Sequence, residues 1–287
     1  MQQEIIITGG DAQFFPFMSA AISSLRAHPQ TAQRDLGVID QGLTDTQRAQ
    51  LSALDCRIIR PEWTLPVPAY ARTLRNIGLV ARTALRDYFP GYNTYLWFDA
   101  DAWMQTPEFI EAFLDGARNR GVAVATEDGP GYSKPWSDHR WWAGNFIAAY
   151  GLIDGIRCSL APSINIGVVA LQDTAPHWDA WKRCYTQALE RTGKVNTDQH
   201  AFLAAIHLAR LPVAYMPARF NWLPHLSCPI WNPETRMLCE PSAPYRPLSV
   251  IHLAGPRKDR SYEVNRLSGG SLSTSLTYPA MQAHQLA

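Results

Sequence analysis

The chain has 287 residues, of which 46% are hydrophobic and only 18% charged, against roughly 25% charged in an ordinary globular protein, so it is a core-forming chain and not a disordered one. Lys and Arg (26) almost cancel Asp and Glu (25), and the formal charge of +1 provides no global field to draw in nucleic acid or an anionic lipid surface. What stands out against the shortage of charge is ten Trp, eleven Tyr and 21 Pro.

In chain order, residues 4–8 read as a strand, 14–27 as a helix, 36–40 as a strand, 44–54 as a helix and 56–60 as a strand. A long helix is predicted over 70–88, then a strand at 94–99, a helix at 107–118 and strands at 122–126 and 164–171. Helices over 176–191 and 198–208 and strands at 213–217 and 250–253 complete the pattern. This alternation predicts an α/β fold with a mixed, mostly parallel sheet flanked by helices. Ligands of such sheets sit beyond the carboxyl ends of the strands. Two stretches rich in Pro, Gly and Trp, 129–162 and 220–247, interrupt the alternation and read as long functional loops. One domain over 1–260 is expected, followed by a loosely ordered tail over 261–287.

Cys56, Cys158, Cys184, Cys228 and Cys239 are odd in number, far apart and without a C-x-x-C pair. Neither a disulfide framework nor a zinc site is expected, which points to a reducing compartment. The opening MQQEIIITGGD lacks the basic and apolar stretches of a secretory signal, and no window approaches about 18 uninterrupted apolar residues. The expectation is a cytoplasmic protein without a transmembrane segment.

The strongest local signal is TYLWFDADAW, an apolar strand ending in Asp99 and Asp101. Side chains two apart in an extended segment point the same way, so both carboxylates can converge on one object. Two hard oxygen ligands suit Mg²⁺ or Mn²⁺. A solvated turn is the bland alternative, but two like charges beside a buried run are costly without a cation. In SINIGVVAL, Asn165 and Gly167 interrupt a buried strand at spacing two; a strand glycine marks either a bulge or a close approach. Asn196 or Thr197 can cap a helix beginning with Asp198 and Gln199, whose free N–H groups are placed for sugar hydroxyls. In SVIHLAGPRKDR, His252, Gly255 and Lys258 can supply a nitrogen ligand and a cation to a metal-bound diphosphate. Arg82 lies on the helix leading into the D-x-D strand.

These elements, in this order and over nearly the whole chain to about Arg260, resemble the GT-A glycosyltransferases of family 8, which include bacterial lipopolysaccharide galactosyl- and glucosyltransferases and glycogenin. The family's A-R-x-x-L helix matches Ala81, Arg82 and Leu85; its N-x-G strand matches Asn165 and Gly167; its D-Q pair matches Asp198 and Gln199. R-F-N-x-x-P matches residues 219–224, and the closing H-x-x-G-x-x-K matches His252, Gly255 and Lys258. The resemblance implies a Rossmann-like GT-A domain that binds a UDP-sugar with Mn²⁺ or Mg²⁺ and transfers a hexose with retention. It implies metal ligation by Asp99, Asp101 and His252, with Asp99 also contacting ribose. Lys258 and the Gly255 backbone would hold the diphosphate, Arg82 the donor sugar or phosphate, and Asp198 the sugar hydroxyls, while Gln199 would lie near the anomeric carbon. Asp11, Asn165 and Gly167 join the nucleotide-sugar-binding set.

Two departures stand out. The family's first strand ends in an acidic pair near Asn that touches uracil, whereas this turn reads Thr8-Gly9-Gly10-Asp11-Ala12. Several bacterial members carry a third acid after the D-Q pair, where this chain has His200; transfer on the face the diphosphate leaves is therefore favoured over a covalent nucleophile. The expected donor is UDP-galactose or UDP-glucose, and the acceptor a glycan or glycolipid of surface polysaccharide or lipopolysaccharide synthesis. An N-acetylhexosamine donor, a non-catalytic nucleotide-sugar or glycan-binding protein and a metal-dependent phosphohydrolase are the alternatives. The last 20 residues hold no Lys or Arg, so at most peripheral membrane contact is expected. Part of the Trp and Tyr excess in 129–162 and 220–231 is expected to line the acceptor cleft.

Overall fold

Strand β1 (Gln2–Gly10) sends Ile5 and Ile7 to one side and Ile6 to the other, which commits it to burial on both faces. The computed structural model describes residues 2–255 and 257–286. Helix α1 (Phe15–Arg26) is followed by β2 (Asp35–Asp40), α2 (Asp45–Ser52) and β3 (Cys56–Ile59). Thr44 and Gln47 start α2 with a reciprocal capping box. The single helix expected over 70–88 is instead broken into α3 (Leu74–Ala81), a 3₁₀ turn (Arg82–Ala84) and α4 (Leu85–Tyr88). Thr73 restarts the helix by accepting the Asn76 N–H at 3.2 Å.

Next come β4 (Tyr92–Phe98), β5 (Ala102–Met104), α5 (Glu108–Arg120) and β6 (Val122–Thr126). The stretch 129–162, expected to be loop, holds α6 (Trp136–Tyr150) and α7 (Leu152–Ser159). In α6 the helical pattern is masked because Trp136 and Trp141 are exposed, so apolar residues mark no single face; in α7 the apolar face of Leu152, Ile153 and Ile156 is the exposed one. Then follow β7 (Ile164–Gln172), α8 (His177–Thr192), α9 (Asp198–Leu208) and β8 (Ala214–Met216). Short strands β9 (Ile230–Asn232) and β10 (Met237–Cys239) pair within the second expected loop, before β11 (Val250–His252).

The central sheet runs β3-β2-β1-β4-β7-β6-β8, with β7 antiparallel to the other six strands. It is the mixed, mostly parallel sheet read from the alternation. One apolar layer packs α8, α9 and part of α6 on one face, and the other packs α1 and α5 on the opposite face. The β6–β7 register jumps from Val124↔Val169 to Ala125↔Asn165, a bulge that re-aims the β7 side chains around Gly167.

The segment after 260, expected to be loosely ordered, forms the hairpin β12 (Ser261–Asn265) and β13 (Ser271–Ser275), then α10 (Tyr278–Leu286). Val264, Leu276 and Met281 are fully buried against Trp103 and Trp222, and the Trp103 Nε1–H donates to the Leu276 carbonyl at 2.8 Å. Apolar residues this sparse show no periodicity in sequence, yet they suffice to dock the segment. No helix among the described residues is long and apolar enough to cross a membrane.

Candidate active site

Because β1, β2 and β4 are parallel neighbours, their carboxyl ends share one edge, where Gly9, Gly10, Gln41 and Asp99 gather. The chain leaves β4 at Phe98 and turns, the Ala102 N–H donating to the Asp99 carbonyl at 3.0 Å. Asp99 and Asp101 thus converge through a turn and not, as expected, along an extended strand. Antiparallel pairing of β5 with β11 sets His252 opposite Ala102, and the Leu253 N–H donates to the Asp101 carbonyl at 2.9 Å. His252 Nε2 then lies 3.5 Å from Asp99 Oδ2 and 3.4 Å from Asp101 Oδ1.

One ligand atom from each of Asp99, Asp101 and His252 lies within 4.8 Å of the others. His252 Nδ1 faces Asn221 Oδ1 at 3.0 Å, and the Asn221 Nδ2 is committed to Asn165 Oδ1 at 2.9 Å. Asn165 Oδ1 also accepts the Gly167 N–H, so it is an acceptor and Asn221 must present its oxygen to His252. That keeps the proton on Nδ1 and leaves the Nε2 lone pair toward the carboxylates, the tautomer a metal ligand needs. Two hard oxygens and an imidazole fit Mn²⁺ or Mg²⁺. Burial works against charge on His252, but Asp101 and Asp99 outweigh it and raise its pKa. Burial likewise opposes the Asp101 charge, and His252 and Lys258 overcome it, holding the carboxyl well below the usual range.

Gly167 makes room for this ring: a Cβ there would fall far inside the 3.0 Å that real Cβ atoms keep, against His252. The close approach expected at Gly167 is therefore to an imidazole. Asn165 Nδ2 donates to Glu127 Oε1 at 3.2 Å, and Glu127 in turn accepts from Lys134 at 2.5 Å and Ser163 at 2.9 Å. Glu127 and Asn221 were not among the expected site residues. Only the R-F-N-x-x-P motif pointed toward Asn221.

Lys258 pairs with Asp101 and donates to the Leu253 carbonyl at 3.2 Å, while Gly255 turns the intervening loop with a φ of 99°. Arg82, 6% exposed, pairs with Asp198 and reaches Asp99 at 3.6 Å, linking α9 to the D-x-D turn. Burial works against charge on both members of the Arg82–Asp198 pair. Asp198 and Asp99 offset it for Arg82, whose pKa rises; for Asp198 burial prevails and raises the carboxyl. Trp97, also not foreseen, donates its Nε1–H to Asp99 at 2.6 Å and lies under the Arg82 guanidinium.

Helix α9 begins at Asp198 as expected, but Thr197 does not cap it; its hydroxyl donates to the Lys194 carbonyl at 2.7 Å. Gln199 accepts the Ile166 N–H at 3.2 Å. Asp11 borders the site with one oxygen committed to the N–H groups of Gln13 and Phe14 at the head of α1. His200 is shut away among Trp141, Trp142 and Phe146, ring centroids 5.0, 4.5 and 4.8 Å distant. Burial and Lys194 push its pKa down to about 4.

Two cavities open here. One, of about 160 Å³, is bordered by Gly10, Asp11, Gln41, Arg82, Asp99, Asp101 and Lys258. The other, of about 910 Å³, is lined by Gln199, Tyr132, Trp141, Trp142, His139 and His225. Part of the aromatic excess therefore does face a cleft. Tyr150, Trp222 and Trp231, in the same two stretches, are buried packing instead.

No protein-family model matches the sequence, and no curated protein matches it. Solved structures do. The galactosyltransferase LgtC, crystallised with donor and acceptor sugar analogues, is 17% identical with a TM-score of 0.56, covering 88% of this chain and 87% of that one. This is the GT-A glycosyltransferase fold. Mouse xyloside xylosyltransferase 1 is 14% identical with a TM-score of 0.51, over 88% of this chain and 96% of that one. The glycosyltransferase GlyE of Streptococcus pneumoniae TIGR4 is 11% identical with a TM-score of 0.56, over 100% of this chain and 61% of that one. At these identities the likeness is one of fold, and the GT-A fold agrees with the architecture that the family resemblance implied.

Proposed function

We propose that this chain is a metal-dependent, retaining glycosyltransferase that moves a hexose, galactose or glucose, from a UDP-sugar to a hydroxyl of a glycan or glycolipid in the synthesis of surface polysaccharide or lipopolysaccharide. The observation that carries this reading is the convergence of Asp99, Asp101 and a tautomer-fixed His252 with Lys258 and Arg82, beside a cavity at the carboxyl edge of a GT-A sheet. Mn²⁺ or Mg²⁺ held by those three residues would supply Lewis-acid stabilisation to the departing diphosphate. Lys258 adds positive charge to the same group, so no side chain has to deliver a proton to it. Arg82, kept charged by Asp198 and Asp99, and Asp198 itself orient the donor sugar, while Asp11 and the Gly255 backbone border the nucleotide.

The acceptor enters the larger cleft, where Tyr132, Trp141 and Trp142 offer faces to sugar rings. Its hydroxyl oxygen bonds to the anomeric carbon on the face from which the diphosphate departs, and its proton passes to the leaving phosphate oxygen. Gln199, held at the cleft floor by its bond from Ile166, stabilises the oxocarbenium-like state. His200, buried and neutral, takes no part as a nucleophile.

The test is a panel of UDP-galactose, UDP-glucose and UDP-N-acetylhexosamines with Mn²⁺, scored for UDP release with and without chelator and for the product's anomeric configuration. Metal-dependent release from a UDP-hexose with retention supports the proposal. Release from the N-acetylated donors alone reassigns the sugar, and tight UDP binding without release from any donor makes the chain a nucleotide-sugar-binding protein.

A further inference from the structure

Gln41 follows β2 directly and belongs to none of the motifs above. Its N–H donates to the Gly10 carbonyl at 3.1 Å, continuing the β1–β2 ladder by one residue, so its side chain starts beside the β1 turn. From there it runs between two backbones that lack a Cβ. A Cβ on Gly78 would fall far inside 3.0 Å of the Gln41 amide, and one on Gly9 would meet its Nε2 at 3.2 Å. Gly78 lies within α3, where glycine is among the poorest helix formers, and its φ is not in the left-handed region. Backbone freedom therefore does not account for it, and room for the Gln41 amide does.

Gln41 as a whole is 9% exposed, and its amide makes no side-chain hydrogen bond among the described residues without being sealed off, so it stands open to the cavity. An amide held in place by its surroundings and open to a cavity is free to pair with a ligand there. It borders the 160 Å³ cavity together with Asp99, Arg82 and Lys258, so the ligand it completes is the one those charges hold. The donor proposed above carries a uracil, so the base offered to this amide is a pyrimidine. An amide offers a donor and an acceptor side by side, the complement of a base edge that carries the same pair reversed.

We propose that Gln41, in the space left by Gly9 and Gly78, is a specificity residue that reads the base of the donor by a bidentate hydrogen-bonded pair with a pyrimidine edge. For uracil the amide oxygen accepts the ring N3–H and the amide N–H donates to O4; turned over, the same amide pairs with cytosine. The inference rests on the nucleotide-sugar reading above and adds the group that recognises the base.

The experiment is calorimetric titration of the full chain with UDP, CDP, ADP and inorganic pyrophosphate, each with Mn²⁺, for wild type, Gln41→Met and Gly78→Ala. Methionine keeps the volume and removes both hydrogen bonds, and alanine at 78 displaces the amide from the opposite side. Wild type should prefer UDP or CDP to ADP, and both variants should lose about tenfold in that preferred nucleotide while binding pyrophosphate unchanged. UDP and CDP binding by Gln41→Met within twofold of wild type overturns the proposal. So does an equal loss for pyrophosphate, or a wild-type preference for ADP. A wild type that binds no nucleoside diphosphate overturns the donor assignment itself, and this inference with it.

Discussion

The two cavities at the carboxyl edge of the sheet differ in how many rings they present and in how tightly their charges are interlocked. The smaller is walled by charges that hold one another, Asp99, Asp101, Arg82 and Lys258, in a chain with few charges to place. The larger adds the rings of Tyr132, His139, Trp141, Trp142 and His225 to charges of its own, Glu127, Asp128, Lys134 and Asp138, of which Glu127 is tied to Lys134, Ser163 and Asn165. On the proposed function, the interlocked charges of the first would meet a metal-bound diphosphate and the rings of the second a sugar acceptor. Gln199 stands in the wall of the second while its neighbour Asp198 reaches Arg82 in the first.

The contrast can be broken most severely at the metal. Asp99→Asn should lower metal-dependent UDP release roughly a thousandfold, read by initial rates across a Mn²⁺ series. At the join between the cavities, Gln199→Ala should cut turnover about a hundredfold with UDP affinity within twofold; unchanged turnover would remove Gln199 from the chemistry.

Beneath the aromatic wall lies a pH effect. The native His200 imidazole, near pKa 4, stays neutral while the unfolded one protonates near 6.5. Stability from this group is therefore complete above pH 6.5 and lost as the pH falls toward 4, and it amounts to about 2 kcal/mol between pH 7 and 5. His200→Phe should remove that difference in urea midpoints measured at the two pH values.

Asn221→Ala, which frees the His252 tautomer, should weaken Mn²⁺ binding about tenfold by calorimetry. The smallest effect belongs to the cleft rim. Trp141→Ala, at a ring 54% exposed, should raise the acceptor KM by about threefold without shifting Tm, whereas Trp222→Ala, at a fully buried ring, should cost about 3–5 kcal/mol of stability.

Most of the charged site was readable because its members sit in short local patterns: Asp99 with Asp101, Asp198 with Gln199, His252 with Lys258. Glu127 was not, and Asn221 only through R-F-N-x-x-P, because each acts through a contact with a residue distant in sequence; Trp97, two residues before Asp99, reads as a core residue of the strand until its ring N–H is seen to meet that carboxylate. Asn221 reaches a histidine 31 positions away, and Asn165 reaches Glu127 38 positions away. Helix α6 is illegible for a related reason: helical periodicity shows when apolar residues keep to one face, and here the large rings of Trp136 and Trp141 occupy the exposed face.

Sequence alone determined the alternation of strands and helices and the strand-end placement of the acids, since both depend on side-chain type at short range. The tertiary structure decided the rest. Antiparallel pairing of β5 with β11 carried His252 to the D-x-D turn, glycines at 9, 78 and 167 opened room for Gln41 and His252, and the aromatic residues were sorted into cleft wall and core. Each is a matter of which distant backbone comes close enough to exclude a side chain or complete a hydrogen bond, and packing sets that distance.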